Sequence, residues 1–254
     1  MMFTERLLEG RTAIVTGASS GLGRRAASVL HAAGATVVVA ARRREELQEL
    51  RAELGSRCEV VPCDVRVGAD LDRLISVAAT IGRVDVLVNS VGVAGEESAI
   101  ELDDERFAEI IEVNLTSVFA LSKRFAKSVR DQGGGGAIVN LSSILGEVAT
   151  PHFRVAAYSA SKAGVSHLTR ALAAQWAGYG IRVNALAPGY FPSEMNAGVV
   201  AEGTESRRRI EERTLLGRLG RDGELDAPLL LLASDAGSYI TGQVLAVDGG
   251  WTAV

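Results

Sequence analysis

The sequence predicts an α/β fold in which one doubly wound parallel sheet carries helices on both faces. Short, continuously apolar segments alternate with longer segments of helical periodicity. The apolar segments lack the alternation of strands that face water on one side, so both faces of the sheet should be covered. The alternation runs to the end of the 254 residues, which predicts a single domain over residues 1–254.

The individual elements follow from the same pattern. The first two strands are expected at TAIVT and TVVVA, and the helix between them should end at Gly34. Further strands are predicted at CEVVP, VDVLVN, AIVNLS, IRVNALA and VLAVD. Long helices should cover Asp103–Gln132 and about Ala156–Tyr179. Residues from about 190 to 221 are polar and show no strand pattern, so they are predicted to be an insertion that serves as a substrate lid.

The bulk composition argues against several classes of protein. A formal net charge of -4 gives no electrostatic reason to expect a nucleic-acid partner. No apolar stretch is long enough to span a bilayer, and the segment MMFTERLLEG lacks the apolar core of a secretory signal. Cys58 and Cys63 are expected to be reduced thiols, and no Cys/His cluster predicts a metal site. A cytoplasmic enzyme or binding protein is therefore expected.

The segment TGASSGLG lies between the first strand and the first helix. Gly17, Gly21 and Gly23 let the backbone turn sharply and approach a ligand, and the helix that follows offers free N–H groups to a phosphate. In this strand-loop-helix context the loop predicts a Rossmann fold with a dinucleotide site that includes Ser19, Ser20 and Leu22. The alternative is a tight turn without a ligand.

The end of the second strand indicates which dinucleotide is bound. An acidic residue at this position would bind the ribose hydroxyls of NAD, but the sequence carries Ala41 and then three arginines. An arginine grips a 2′-phosphate that a carboxylate would repel. Arg42 is therefore predicted to bind the phosphate and to favour NADP(H) over NAD(H). Arg44 is expected to belong to a solvated first turn of the next helix, and the same position is the alternative for Arg43.

The segment YSASK places a tyrosine and a lysine on one helix face. Tyr158 and Lys162 stand at positions i and i+4, so their side chains are neighbours. A nearby ammonium lowers the pKa of a phenol, which would let the tyrosine exchange a proton with a substrate oxygen at neutral pH. The pair alone is also compatible with an ordinary surface helix face, so its neighbours must decide.

Those neighbours resemble a known family. TGASSGLG, NSVG, VNLTSVF, NLSS, YSASK and NALAPG occur in the order and approximate spacing of the short-chain dehydrogenase/reductase family. The resemblance covers nearly the whole chain, from Gly10 to Trp251. It departs from the family pattern at Ser90 and Val91, where the family usually has asparagine and alanine. Each motif is modest, but the ordered set is highly specific.

The resemblance implies four catalytic residues. Tyr158 matches the family's general acid/base, and Lys162 matches the lysine that binds the nicotinamide ribose and lowers the pKa of the tyrosine. Asn114 matches the asparagine that holds a water in the proton relay. Ser143 fits the family's S-x-x-G pattern and is expected to hold the substrate oxygen, whereas Ser142 is expected to bond locally.

The resemblance also implies the remaining cofactor contacts. Asp64 and Val65 match residues beside the adenine, and Asn89 matches a residue near the adenosine ribose. Contacts near the nicotinamide are expected from residues that follow the sixth strand: Pro188, Gly189, Phe191 and Ser193. The hydroxyl of Ser193 is expected to bond the carboxamide.

The substrate is predicted less sharply than the chemistry. Pocket contacts are expected from Leu145, His152, Phe153 and Tyr190, with an ordinary loop histidine as the alternative for His152. The first expectation is reduction of a 3-oxoacyl thioester or a related ketone. The alternatives are a sugar-acid or polyol dehydrogenase, such as a gluconate 5-dehydrogenase, and a non-catalytic NADP-binding regulator.

Two features bear on partners. Carrier-protein reductases of the family often have an arginine where this chain has Tyr179, which disfavours an acyl carrier protein as partner. The resemblance implies a homotetramer built through the long helices and the C-terminal strand region. The arginines of RRRIEER are expected to be a solvated helix face, with attraction of an anionic substrate as the alternative.

Overall fold

The computed structural model describes residues 6–151 and 153–254. Seven strands form one parallel sheet in the order β3-β2-β1-β4-β5-β6-β7. The strands are β1 Thr12–Thr16, β2 Thr36–Ala41, β3 Cys58–Pro62, β4 Val84–Asn89, β5 Gly136–Leu141, β6 Ile181–Pro188 and β7 Val244–Val247. The predicted α/β class and strand series are confirmed.

Helices cover both faces of the sheet. They are α1 Gly21–Ala32, α2 Arg44–Leu54, α3 Gly68–Ile81, α4 Asp104–Ile111, α5 Ser117–Gln132, α6 Ala156–Trp176, α7 Ala197–Val200, α8 Glu205–Arg213 and α9 Asp226–Ala233. The helix predicted over Asp103–Gln132 is interrupted by a turn of π-helix, Glu112–Thr116, that joins α4 to α5. The sequence pattern carries no signal for this bulge, because one extra residue per turn hardly disturbs the periodicity of the apolar residues.

Two apolar layers hold the sheet between the helices. Alternate residues of the same strand enter different layers: Val37 and Val39 pack on one face of β2, and Val38 packs on the other. All five residues of β1 are buried, as expected for the centre of a sheet covered on both faces. Strand order reverses beside β1, where Thr16 pairs with Ala40 of β2 and with Asn89 of β4. The crevice at this reversal is where such sheets bind ligands.

The segment 190–221, here called the lid, contains α7 and α8 and, among its described residues, no strand. A small third apolar cluster holds it together: Val200, Ile210 and Leu219, with Phe153, Tyr190 and Val199 packed against them. The lid reaches the glycine loop, because a Cβ on Gly21 would lie 3.8 Å from Ser193 Cβ. It also reaches the loop that follows β4, because a Cβ on Gly92 would lie 3.9 Å from Met195 Cε.

The described residues also bear on the expectations about membrane-spanning helices and metal sites. No helix there is long and apolar enough to cross a membrane. The same residues contain no group of three or more His, Cys, Asp and Glu side chains that would hold a metal ion. Cys58 and Cys63 are free and buried, and burial raises the pKa of each thiol to about 11.

Candidate active site

The glycine loop forms a cradle that side chains would fill. Gly17 has φ +69°, and a Cβ there would lie 2.6 Å from the backbone oxygen of Ser90. A Cβ on Gly23 would collide with the backbone oxygen of Gly17. Helix α1 begins beyond this turn without a side-chain cap and without an acidic residue in its first turn. These features fit a dinucleotide phosphate, because uncapped N–H groups and the positive end of the helix dipole face it.

The structure separates the two arginines that follow β2. Arg43 reaches the glycine loop, where its guanidinium donates to Ser19 Oγ at 3.1 Å and to Ser20 Oγ at 2.6 Å. It also pairs with Glu194 of the lid at 3.3 Å. Arg42 is exposed and lies near Asp64. The pKa of the Asp64 carboxyl is lowered mainly by its hydrogen bond with Arg66, and the charge of Arg42 adds to that effect. Of the two interpretations left open for Arg43, its contacts favour a role at the glycine loop, because its side chain folds back over that loop.

The π turn places Asn114 at the centre of the site. Its side chain is fully buried, accepts from Val93 N at 2.8 Å, and donates to Val93 O at 2.9 Å and to Ser161 Oγ at 3.0 Å. Both amide hydrogens are used, so a water would find only the second lone pair of Oδ1. A Cβ on Gly92 would lie 3.7 Å from that Oδ1 and 3.6 Å from Lys162 Nζ. Asn114 and Lys162 therefore border the same small space.

Helix α6 presents the tyrosine and the lysine together. Lys162 Nζ lies 5.7 Å from the centroid of the Tyr158 ring and donates to Leu141 O, at the end of β5, at 2.7 Å. Ser143, the residue that caps the short turn Ile144–Gly146, lies close enough to the hydroxyl of Tyr158 to act on its pKa. Ser142 bonds instead to Lys162 O at 3.0 Å and to Ser166 Oγ at 2.7 Å. Ser143 thus lies beside the tyrosine and Ser142 bonds inside the protein, which is the division of roles that the sequence pattern suggested.

Burial dominates the electrostatics of this pair. Burial raises the pKa of Tyr158, and the hydrogen bond with Ser143 opposes that rise. Burial also lowers the pKa of Lys162 to about 8. The net shift of the Tyr158 pKa in this arrangement is therefore upward, because removing a phenolate from water is costly. A phenol that stays protonated at neutral pH is ready to donate its proton.

The side chains of Asn89 and Asp64 are bonded to other groups of the protein. Asn89 Nδ2 donates to Ser122 Oγ at 3.1 Å and to Asn140 Oδ1 at 2.8 Å, inside the protein. Its side chain is thus structural, although its backbone ends β4 at the crevice. Asp64 binds Arg66 at 2.7 Å, and this hydrogen bond lowers the pKa of the carboxyl to about 2. Val65 packs against the second apolar layer.

The residues that follow β6 also turn partly inward. A Cβ on Gly189 would lie 2.7 Å from Asp248 Cα, so the chain passes close to the end of β7. Phe191 is 8% exposed and packs against Gly220, within the lid. Ser193 Oγ donates to Asn196 Oδ1 at 3.0 Å and caps the next turn. The sequence could not show this cap, because a serine hydroxyl at this position fits the N-terminus of a turn and the carboxamide of a nicotinamide equally well. Pro188 is the last residue of β6, at the crevice.

Aromatic residues line the space next to Tyr158. The rings of Phe153 and Tyr190 lie 5.7 Å apart, and those of Tyr190 and Trp251 lie 5.8 Å apart. Burial raises the pKa of Tyr190, and the neighbouring Tyr158 raises it further. Leu145 N donates to Ser143 Oγ at 3.1 Å, which places the leucine beside the catalytic serine. His152 lies outside the described residues. Sequence reasoning missed Trp251, because only the tertiary fold brings the chain end to this space.

Comparisons with known proteins agree with this geometry. A family model described as "Enoyl-(Acyl carrier protein) reductase" matches residues 17–252. The galactitol 2-dehydrogenase (L-tagatose-forming) of Cereibacter sphaeroides is 39% identical over 246 residues, 96% of each chain. The cis-4-hydroxycyclohexanecarboxylate dehydrogenase of Sinomonas cyclohexanicum is 42% identical over 251 residues, 96% of this chain and 97% of that protein. The structure of a gluconate 5-dehydrogenase from Burkholderia cenocepacia J2315, in complex with NADP and tartrate, is 34% identical with a TM-score of 0.91 and 98% of each chain covered.

Proposed function

The chain belongs to the short-chain dehydrogenase/reductase family, and on that premise we propose that it interconverts a secondary alcohol and a ketone with NADP(H). The family membership makes it an oxidoreductase of CH–OH and C=O groups. The single observation that carries the proposal for this chain is the convergence of Ser143, Tyr158 and Lys162 at one point, with Lys162 Nζ 5.7 Å from the centroid of the tyrosine ring. A proton donor, a second donor and a cation converge there on one point.

The four side chains divide the work of moving one proton. Bound NADPH would supply the hydride to the carbonyl carbon. Tyr158 donates its phenolic proton to the carbonyl oxygen, and Ser143 donates a hydrogen bond to the same oxygen. The ammonium of Lys162 then favours the phenolate, because opposite charges stabilise each other in a buried site. Asn114 holds the loop at Val93 and, through the free lone pair of Oδ1, a water that returns the proton.

Preference for NADP(H) is supported by the two arginines after β2. Arg43 is held at the glycine loop by Ser19 and Ser20, while Arg42 is exposed at the same edge. We propose that the 2′-phosphate lies between them and that both guanidinium groups bind it. The replacement of either arginine by alanine should raise the KM for NADPH at least tenfold and that for NADH less than threefold. Equal losses for both cofactors would refute the phosphate contact.

The relatives bear on the substrate. The proteins reported above act, by name, on a polyol, a cyclic hydroxy acid and a sugar acid. Together with an aromatic pocket that carries buried hydroxyl and indole donors, they support a small hydroxylated or cyclic substrate for this chain. A 3-oxoacyl thioester, the first expectation from the sequence, is the second candidate and is favoured by the acyl-carrier description of the family model.

The test is NADPH oxidation at 340 nm with a panel of ketones. The panel contains 5-ketogluconate, 4-oxocyclohexanecarboxylate, acetoacetyl-CoA, diketones and aryl ketones. We expect turnover with one of the first two compounds and little with acetoacetyl-CoA. Turnover of acetoacetyl-CoA alone would establish the second candidate. Silence across the panel with NADPH binding intact would favour the non-catalytic regulator.

We further propose a homotetramer in the cytoplasm. Phe107 of α4 and Phe119 of α5 are 41% and 42% exposed, and Tyr239, just before β7, is fully exposed. Exposed aromatic side chains on two separate faces are typical of subunit interfaces. Light scattering should give four times the mass of 26.7 kDa, and a monomer would contradict the proposal.

A further inference from the structure

An arginine of the lid stacks on the buried tryptophan of the pocket. The guanidinium carbon of Arg213, the last residue of α8, lies 3.9 Å from the centroid of the Trp251 ring. Trp251 is 1% exposed, so the ring is a fixed platform. A guanidinium stacked in this way keeps its N–H edges free to bind a planar anion.

Arg213 differs from the neighbouring arginines of the lid in having no side-chain carboxylate as a partner. Arg207 pairs with Glu211 at 2.9 Å, Arg209 pairs with Glu205, and Arg218 pairs with Glu224 at 2.7 Å. Arg213 makes no ion pair with a side-chain carboxylate in the described chain; its one hydrogen bond is a 3.5 Å contact to Val254 O. Arg208, also without such a pair in this part of the chain, is exposed and stacks on no ring, so it has no built site.

The space beside Arg213 also contains unused hydrogen-bond donors. Tyr190 OH and Trp251 Nε1 are buried and have no partner in the described structure. Unpaired buried donors are costly, and in a native site they commonly mark a ligand that accepts from them. Tyr190 links this space to the reaction centre, because Tyr158 and Arg213 both act on the pKa of its hydroxyl, in opposite directions. Burial is the largest cause of the raised pKa of Tyr190.

We propose that Arg213 binds the carboxylate of the substrate, with Tyr190 OH and Trp251 Nε1 donating to the same carboxylate or to an adjacent hydroxyl. The substrate is then a short oxo acid or hydroxy acid whose reacting carbon lies at Tyr158 and whose carboxylate lies on Trp251. This inference rests on the proposed function and narrows its substrate class. It also explains why a lid arginine is held by a ring rather than by a glutamate.

The first experiment compares an acid with its uncharged counterpart. The ratio of kcat/KM for 4-oxocyclohexanecarboxylate to that for its carboxamide is measured in four proteins: wild type, Arg213→Gln, Arg213→Lys and, as the matched control for loss of one positive lid charge, Arg208→Gln. We expect wild type and Arg208→Gln to prefer the acid by roughly 10- to 100-fold, the strength of a charged hydrogen bond. Arg213→Gln should lose that preference through KM, and Arg213→Lys should retain part of it.

The second experiment separates this inference from the proposed function, because it needs no turnover. The acid and the carboxamide are titrated by calorimetry into Tyr158→Phe protein saturated with NADP⁺, with and without Arg213→Gln. Tighter binding of the acid that disappears with Arg213→Gln supports the carboxylate site even if no ketone in the panel is reduced. An acid that binds no better than its carboxamide, or an acid preference unchanged in Arg213→Gln, would overturn the inference while leaving the reaction class intact.

Discussion

The catalytic floor and the lid are built on opposite principles. The floor, defined as Asn114, Ser143, Tyr158 and Lys162, draws its residues from the π turn, the end of β5 and α6. Asn114, Ser143 and Lys162 are 7% exposed or less. Asn114 and Lys162 are also bonded to main-chain atoms of distant segments, at Val93 and Leu141. In the lid, α8 is held by ion pairs within its own turns and by a small apolar cluster. The residues proposed to perform the chemistry are thus positioned by several distant elements, and those proposed to select a substrate are positioned locally.

This difference has a physical consequence. A segment with few buried apolar contacts opens at low cost in free energy, whereas a buried polar network opens only when the core does. If the segment 190–221 acts as the proposed lid, it would admit and enclose a substrate while the floor keeps its geometry. Changes in the floor should alter rate and stability strongly, and changes in the lid should alter substrate affinity and little else.

The largest effect is expected for Tyr158→Phe. Loss of the phenolic proton should lower kcat by roughly 10³-fold or more, because general acid catalysis contributes about that much. The ring remains, so the Kd for NADPH should stay within about threefold of wild type. Steady-state kinetics and a fluorescence titration measure the two quantities. Turnover within tenfold of wild type would remove Tyr158 from the proton transfer.

Removing the buried ammonium should change how stability depends on pH. The pKa of Lys162 is about 8 in the folded protein and 10.5 as the reference value. Between these values the unfolded chain binds the proton and the folded protein does not, so the stability of wild type rises with pH. Lys162→Met lacks this rise, which amounts to at most roughly 3 kcal/mol. Urea unfolding of both proteins at pH 7.5 and pH 10 measures the effect. The free energy of unfolding of the variant, relative to wild type, should be lower at pH 10 than at pH 7.5. A difference that is the same at both pH values would contradict the buried ammonium.

Two glycines offer a matched comparison of floor and lid. A Cβ on Gly146 would lie 2.6 Å from the backbone carbon of Lys162, whereas a Cβ on Gly198, in α7 of the lid, would meet nothing within 4 Å. Gly146→Ala should cost about 1–3 kcal/mol by overpacking. Gly198→Ala should be neutral or stabilise by up to about 1 kcal/mol, as alanine does in a helix. Thermal unfolding measures both, and equal effects would mean that the two regions are not packed differently.

The smallest effect is expected for Glu205→Gln, which removes an i,i+4 ion pair with Arg209 on the surface of α8. Exposed pairs of this kind contribute about 0.5 kcal/mol or less. The midpoint of urea unfolding and kcat should both stay close to wild type. A drop in kcat beyond twofold would show that the lid helix is coupled to the chemistry more tightly than its contacts suggest.

Sequence reasoning reached the floor more easily than the lid. The strands, the glycine loop and the spacing of Tyr158 and Lys162 depend on residues that are close together in the sequence. Such features can be identified from the sequence alone. Which partner a polar side chain chooses is decided by distant residues. Asn89 bonds to Ser122 and Asn140, and Arg43 folds over the glycine loop. The stacking of Arg213 on Trp251 joins two segments that show no shared pattern in the sequence.

The most direct test of the central claim follows the hydride itself. NADPH carrying deuterium at C4 of the nicotinamide is incubated with the best ketone of the panel, and the alcohol is analysed by mass spectrometry. If the floor and the cofactor act as proposed, the product carries one deuterium on the carbinol carbon and an unlabelled hydroxyl proton from solvent. A product whose carbinol hydrogen comes from water, with no label from the cofactor, would contradict direct hydride transfer and the assigned reaction class with it.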